Sequence, residues 1–199
     1  MFRDITRDDV YRIETQRLWL RWPKITDAPA IAAALDDPRI ADMTSRIPHP
    51  YPPGHAEDFV FSTRETNHDG QGLVLVITPK AKPNQVIGTI GLSETKLPTD
   101  LQLGYWIAVP HWNNGFASEA ALALIQTGFA LSKAEGIAAT VKPENAASKR
   151  ILAKIGFQET GRESRFMPAR NREEVVDCYH LTRASWREGG AWSAYGAAA

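Results

Sequence analysis

The residues best placed by type and spacing to do chemistry lie between Leu101 and Ala121, in the stretch LQLGYWIAVPHWNNGFASEAA. Strand-forming residues crowd together up to Pro110, which has no N–H to give a ladder and so ends regular pairing. Asn113, Asn114 and Gly115 then supply a turn that tolerates unusual backbone angles, and beyond Phe116 the small Ala117 and Ser118 open a helix without bulk over its end. The first N–H groups of a helix have no partner within it and stand at the positive pole of its dipole. The backbone from Asn113 to Ser118 therefore suits a phosphate group. Strand, turn and helix follow one another throughout α/β proteins, so this stretch takes its meaning from what surrounds it.

Other side chains offer weaker chemistry. His111 has an imidazole whose ordinary pKa of about 6.5 suits proton transfer, although a surface position beside the turn explains it more simply. His180 and Cys178 read as sheet residues rather than catalysts or metal ligands. Tyr105, Trp106 and Trp112 can wall a substrate site or simply pack around a strand end. The arginines from Arg162 to Arg172 suit an acidic partner, or a hairpin with solvated charges.

The elements that must position these groups follow from periodicity. Residues 17–22 alternate Leu18, Leu20 and Trp22 against Arg17, Trp19 and Arg21, the period of a half-buried strand. Thr26 is expected to cap a helix through Ile31 and Leu35 that ends before Pro38, with residues 39–53 as a loop able to cover a substrate. A second helix is predicted over 54–67, then strands at 73–77 and 85–92 forming a hairpin. The strand 101–109 and the helix 117–132 come next, followed by a short strand at 137–141. The intervening helix makes that strand parallel to 101–109 through a right-handed crossover. Asn145 caps a helix that ends at Gly156, and residues 157–166 and 174–182 form a closing hairpin around Arg170 and Asn171.

Composition sets the bounds. A chain of 199 residues is long enough for one well-buried domain, expected at 14–183 between a leader (1–13) and a tail (184–199). Lys plus Arg number 23 and Asp plus Glu 23, so no global field argues for nucleic acid or an anionic membrane. The single cysteine, Cys178, excludes an intrachain disulfide and speaks against a thiolate metal cluster, and no metal is expected. No apolar run approaches the roughly 20 residues that span a bilayer, and the cytoplasm is the expected compartment.

Taken together, the element order and two motifs resemble the GNAT superfamily of acyl-CoA-dependent N-acyltransferases. The stretch HWNNGFASEA is similar to that family's pyrophosphate loop, commonly Gln/Arg-x-x-Gly-x-Gly/Ala, with Gly115 and Ala117 in the small-residue places and Trp112 where the pattern has Gln or Arg. The stretch NAASKRILAKIGF, residues 145–157, is similar to the Asn-x-x-Ser…Gly-Phe helix of the branch that includes the ribosomal-protein N-terminal (alanine/serine) acetyltransferases. The resemblance implies an α/β (α+β) fold: a mixed, mostly antiparallel central sheet, helices on both faces, and a splayed parallel strand pair in the middle.

It also implies acetyl-CoA as cofactor, with its diphosphate on the backbone of Asn113, Asn114, Gly115, Phe116, Ala117 and Ser118. The pantetheine arm would pair with backbone groups at Ile107 and Val109 where the strands part after a bulge, and with Asn145, whose helix-cap role explains it almost as well. Lys149, Arg150 or Lys154 can meet a ribose phosphate or face solvent. Ser148 occupies the place of a proposed proton donor to sulfur. Gln102 stands where relatives commonly carry a glutamate base, a proton acceptor that glutamine cannot replace. Asp100, Glu94 or a chain of waters are the alternatives. The activity implied is acetyl transfer to a primary amine, either a protein N-terminus or a small molecule. A silent acyl-CoA-binding sensor or scaffold is the rival. A homodimer through the tail around Trp192 and Tyr195 is a further expectation.

Overall fold

Alternation along residues 18–22 produces the first of the core-forming strands, and the computed structural model, which describes residues 11–95 and 99–188, shows what it joins. Leu18, Leu20 and Trp22 are buried, and strand β2 (Leu18–Arg21) lies between β1 (Arg12–Glu14) and β3 (Gly72–Pro79). Strands β4 (Gly88–Glu94) and β5 (Asp100–Ile107) continue the antiparallel run. Then β6 (Gly136–Val141) joins β5 in parallel, and β8 (Arg172–Thr182) inserts between β6 and the edge strand β7 (Gln158–Met167). Among the described residues these strands make one sheet in the order β1-β2-β3-β4-β5-β6-β8-β7.

Helices cover both faces. On one side α4 (Phe116–Leu131) and α5 (Ala146–Ile155) pack on Leu101, Leu103 and Ile107 of β5; on the other, α1 (Ala28–Leu35), α2 (Pro38–Met43) and α3 (His55–His68) pack on Trp106 and Ala108. Successive residues of a strand point to opposite faces, so the single apolar run of β5 serves both layers. The helix α4 runs close over the sheet at Gly128, where a Cβ would stand 2.4 Å from Leu92 Cδ1.

Several expectations are corrected. Thr26 does not cap the first helix: residues Ile25–Asp27 form a 3₁₀ turn and Asp27 stands at the N-cap. Its carboxylate is only 4% exposed and is committed to the Lys24 N–H at 2.7 Å and to two guanidinium nitrogens of Arg21, each at 2.8 Å. The segment 39–53 is not all loop. Pro38 begins α2 at a position where a missing N–H costs nothing, and Asp37 caps that helix by accepting the Arg39 N–H at 3.0 Å. Strand β1, three residues with polar ends, was not foreseen. Trp186, expected in the tail, is buried in α6 (Arg183–Glu188) against Phe129, at 6.2 Å between ring centroids. Trp192 and Tyr195, expected to mediate a dimer, lie outside the described residues.

The feature that positions the site is where pairing stops. Strands β5 and β6 pair only over Asp100–Gln102 against Gly136–Ala138. Beyond that, β5 stays with β4 as far as Ile107, while β6 stays with β8 as far as Val141, and the two halves of the sheet diverge. The expected bulge is not the cause: the β4–β5 register runs unshifted from Glu94↔Leu101 to Gly88↔Ile107.

Candidate active site

The turn before α4 is held in the conformation its residues favour. Asn113 and Gly115 have φ of +60° and +76°, the left-handed region that asparagine and glycine tolerate best. The first intrahelical bond runs from Glu119 N–H to the Gly115 carbonyl at 3.1 Å, which leaves the N–H groups of Phe116, Ala117 and Ser118 ahead of the ladder. Asn114 folds its side chain back, donating from Nδ2 to the Trp112 carbonyl at 2.9 Å. Asn113, Gly115, Phe116, Ala117 and Ser118 line a cleft of about 1390 Å³ that also takes in Gln102, Tyr105, Asn145 and Ser148.

Along the cleft, the backbone of β5 is turned toward the gap at alternate residues. Ala108 N–H bonds to the Ile87 carbonyl at 2.8 Å, so the Ile107 carbonyl points away from β4; the strand expected to reach Val109 ends there, and Val109–His111 form a 3₁₀ turn. The carbonyls of Ile107 and Val109 are not vacant, however. Trp112 donates its indole Nε1–H to the Ile107 carbonyl at 2.6 Å and its backbone N–H to the Val109 carbonyl at 3.1 Å. The residue that departs from the loop pattern thus ties the loop to the strand, and Ile107 lines the cleft while Val109 does not.

Further along the cleft, the Ser148 and Tyr105 hydroxyls are 2.9 Å apart. Ser148 sits in the first turn of α5, and its N–H donates to Asn145 Oδ1 at 3.0 Å, so Asn145 acts as the helix cap and keeps its amide N–H groups for another partner. Burial pushes the Tyr105 phenol up to about 12, against the opposing effect of its bond to Ser148. Tyr105 is therefore a neutral O–H at physiological pH. By sequence, Tyr105 stands with Trp106 and Trp112 as a wall of a substrate site or as packing around a strand end. The alternation of β5 was the available signal, since it turns Tyr105 toward α5 and Trp106 toward the opposite layer.

Of the groups considered as a base, Gln102 lines the cleft, its Nε2 3.4 Å from the Leu103 carbonyl, while Asp100 and Glu94 do not line it. Asp100 is paired instead with His180 at 2.9 Å, at the end where β5 and β6 are still joined. His111 lines the cleft with its ring tilted on Phe116, 6.4 Å between centroids. The Cys178 thiol is pushed up by burial and by Glu163, which suits an inert sheet residue.

The cations divide. Lys149 is paired with the buried Asp177, which also accepts from Arg162 Nε at 2.6 Å; the Lys149 bond, above all, holds that carboxyl below its usual range. Arg150 and Lys154 line the cleft. The arginines of the hairpin are engaged within the protein. Arg170 donates to Glu174 at 2.8 Å and to the carbonyls of Ala41 at 3.0 Å and Thr44 at 2.8 Å, tying the β7–β8 turn to the end of α2. Burial alone would raise Glu174, but bonds from Arg172, Arg170 and Lys142 bring it down to about 2.

The sheet thus opens between two parallel strands, with the N-terminus of α4 and the Tyr105–Ser148 hydroxyl pair both on the cleft. Residues 17–158 match the family model described as an acetyltransferase (GNAT) domain. The "uncharacterized N-acetyltransferase p20" of Bacillus licheniformis is 30% identical over 166 residues, which cover 83% of this chain and 91% of that one. In structure, Mycobacterium smegmatis RimJ in complex with CoA-disulfide aligns with a TM-score of 0.80 at 20% identity, over 94% of this chain and 95% of that chain. A putative ribosomal-protein-serine acetyltransferase from Vibrio cholerae aligns with a TM-score of 0.73 at 20% identity, over 87% of this chain and 98% of that chain. The chain belongs to the GNAT acetyltransferase family, whose acyl donor is acetyl-CoA, and its structural neighbours include the ribosomal-protein enzymes that its two motifs resemble. No helix among the described residues is long and apolar enough to cross a membrane.

Proposed function

We propose that this protein moves the acetyl group of acetyl-CoA to a primary amine by direct attack, through a tetrahedral intermediate and without a covalent enzyme intermediate. The observation that carries the reading is the parting of β5 and β6 after Gln102 and Ala138, which leaves a cleft lined by the N-terminus of α4 and the Tyr105–Ser148 pair.

The groups along that cleft fit the donor. The N–H groups from Asn113 to Ser118 hold the diphosphate, that of Ile107 meets the pantetheine arm, and Asn145 offers its side-chain N–H to the same arm. The thioester then lies beside Ser148. As the C–N bond forms and the C–S bond breaks, the amine loses a proton and the sulfur must gain one. A thiol of pKa about 8.5 leaves readily, so the Ser148 hydroxyl needs only to donate a hydrogen bond and relay that proton, with Tyr105 holding it in place. The high pKa of Tyr105 keeps it a donor throughout.

With Gln102 where a carboxylate would serve as base, a protonated acceptor gives its extra proton to water on entry, and the proton lost as the C–N bond forms is the one that reaches the sulfur. The acceptor is a protein N-terminus or a small amine, and the compartment is the cytoplasm. Release of free CoA from acetyl-CoA across a panel of amines and N-terminal peptides tests the reading. Turnover with at least one acceptor supports it; tight CoA binding with no turnover on the whole panel favours a silent acyl-CoA sensor or scaffold, the reading that Gln102 itself motivates.

A further inference from the structure

The network under the first turn of α4 has a role that the cleft alone does not explain. Glu119, only 5% exposed, stands one turn into the helix, where a carboxylate would compete with a bound anion for the positive end of the dipole. It is neutralised by residues about a hundred positions away. Its carboxylate accepts from Thr15 Oγ1 at 2.6 Å, from the Arg17 backbone N–H at 2.7 Å and from Arg17 Nε at 2.7 Å. Arg17 then reaches past Glu119 to the turn: Nη1 donates to the Asn114 carbonyl at 2.9 Å, and the guanidinium lies 4.7 Å from the centre of the Phe116 ring.

The bond to Asn114 fixes a direction. In a trans peptide, the carbonyl of one residue and the N–H of the next point opposite ways. With the Asn114 carbonyl drawn toward Arg17, the Gly115 N–H must face away from Arg17, toward the cleft that Gly115 lines. The Gly115 carbonyl is in turn held by Glu119 N–H, which turns the Phe116 N–H outward by the same rule.

We infer that Arg17 and Glu119 form a brace that aims the N–H groups of Gly115 and Phe116 at the diphosphate of the acyl carrier, making both of them positioning residues for carrier affinity. This rests on the placement of the diphosphate proposed above. Lysine at position 17 keeps the charge but lacks the planar fork needed to hold Glu119 and the Asn114 carbonyl together.

The test is calorimetric binding of CoA, of dephospho-CoA, which keeps the diphosphate, and of pantetheine, which lacks it, to the parent and to Arg17→Lys. The expected result is a loss of about tenfold for both diphosphate carriers with pantetheine unchanged within about twofold, the scale of one charge-assisted hydrogen bond. A merely structural role moves all three ligands alike. Equal CoA affinity in variant and parent, or an equal loss for pantetheine, overturns the brace and leaves acetyl transfer standing. A parent that binds no CoA overturns both. Should Arg17→Lys fail to fold, Glu119→Gln, which sets an NH₂ group against Arg17 Nε, must show the same selective loss.

Discussion

The hydroxyls of Tyr105 and Ser148 meet at 2.9 Å across the cleft, joining the middle of β5 to the first turn of α5. That bond fixes the place of the serine hydroxyl, and it gives the half-buried phenol a partner.

Removing either hydroxyl is expected to slow turnover to different degrees. Ser148→Ala deletes the group beside the sulfur and should lower kcat about 100-fold, the lower end for a lost general acid. Tyr105→Phe leaves Ser148 in place but unaligned and should cost about tenfold. Steady-state CoA release with an identified acceptor measures both. Equal rates in both variants and the parent would remove the pair from the chemistry.

The pH dependence should separate Tyr105 from the acceptor. Because the phenol is raised to about 12, its ionisation lies beyond the working range, so kcat/KM for the acceptor in the parent should climb with amine deprotonation and show no descending limb up to about pH 10. The neutral phenol is the form the fold favours. Its contribution to stability is therefore complete below the ordinary tyrosine range and is lost as pH rises through about 12.

Gln102→Glu restores a carboxylate to the cleft. It should raise kcat/KM about tenfold below the amine's own pKa, where the parent waits for a neutral acceptor, and should make little difference above it. Parallel pH–rate profiles of variant and parent would show the gap closing with pH. An unchanged profile would mean that water already takes the proton as fast as a side chain can.

Acid should unfold the protein partly through Glu174. Its pKa is lowered from 4.5 to about 2, so the stability it lends is full above the ordinary value and is lost as pH falls through about 2. Arg170→Ala removes two of the bonds to Glu174 and the tie to α2, and should flatten that part of the curve. Melting temperatures between pH 2 and 5 for variant and parent read this directly.

Gly115→Ala places a Cβ on a residue with φ of +76°, which costs roughly 1–2 kcal/mol for an L residue. The melting temperature should fall accordingly. CoA affinity should fall with it if the turn relaxes to relieve the strain, as calorimetry would show.

What the sequence made legible was local. The alternation of Leu18, Leu20 and Trp22, the Asn145 cap and the left-handed Gly156 obey rules set by near neighbours, and each appears where those rules put it. Pro38 was read as the end of one helix when it is also the start of the next, because the same missing N–H suits both places. The pairings that build the site span 43 residues for Tyr105 with Ser148 and 102 for Arg17 with Glu119. Which distant partner a side chain meets is decided by strand order, and no local pattern states that order. Trp112 shows the same limit: its departure from the loop motif was visible, but its bond to the Ile107 carbonyl was not.

The divergence of β5 from β6 leaves two slabs hinged along a spine only as long as Asp100–Gln102. On the proposed reading, the acyl carrier supplies rungs that the ladder itself lacks, so it is a building part of the loaded protein as well as a reactant. Occupancy should then stiffen β6 as well as the loop that grips the diphosphate. Thermal tolerance should rise with each increment of free CoA, and amide exchange along both rails of the gap should slow together.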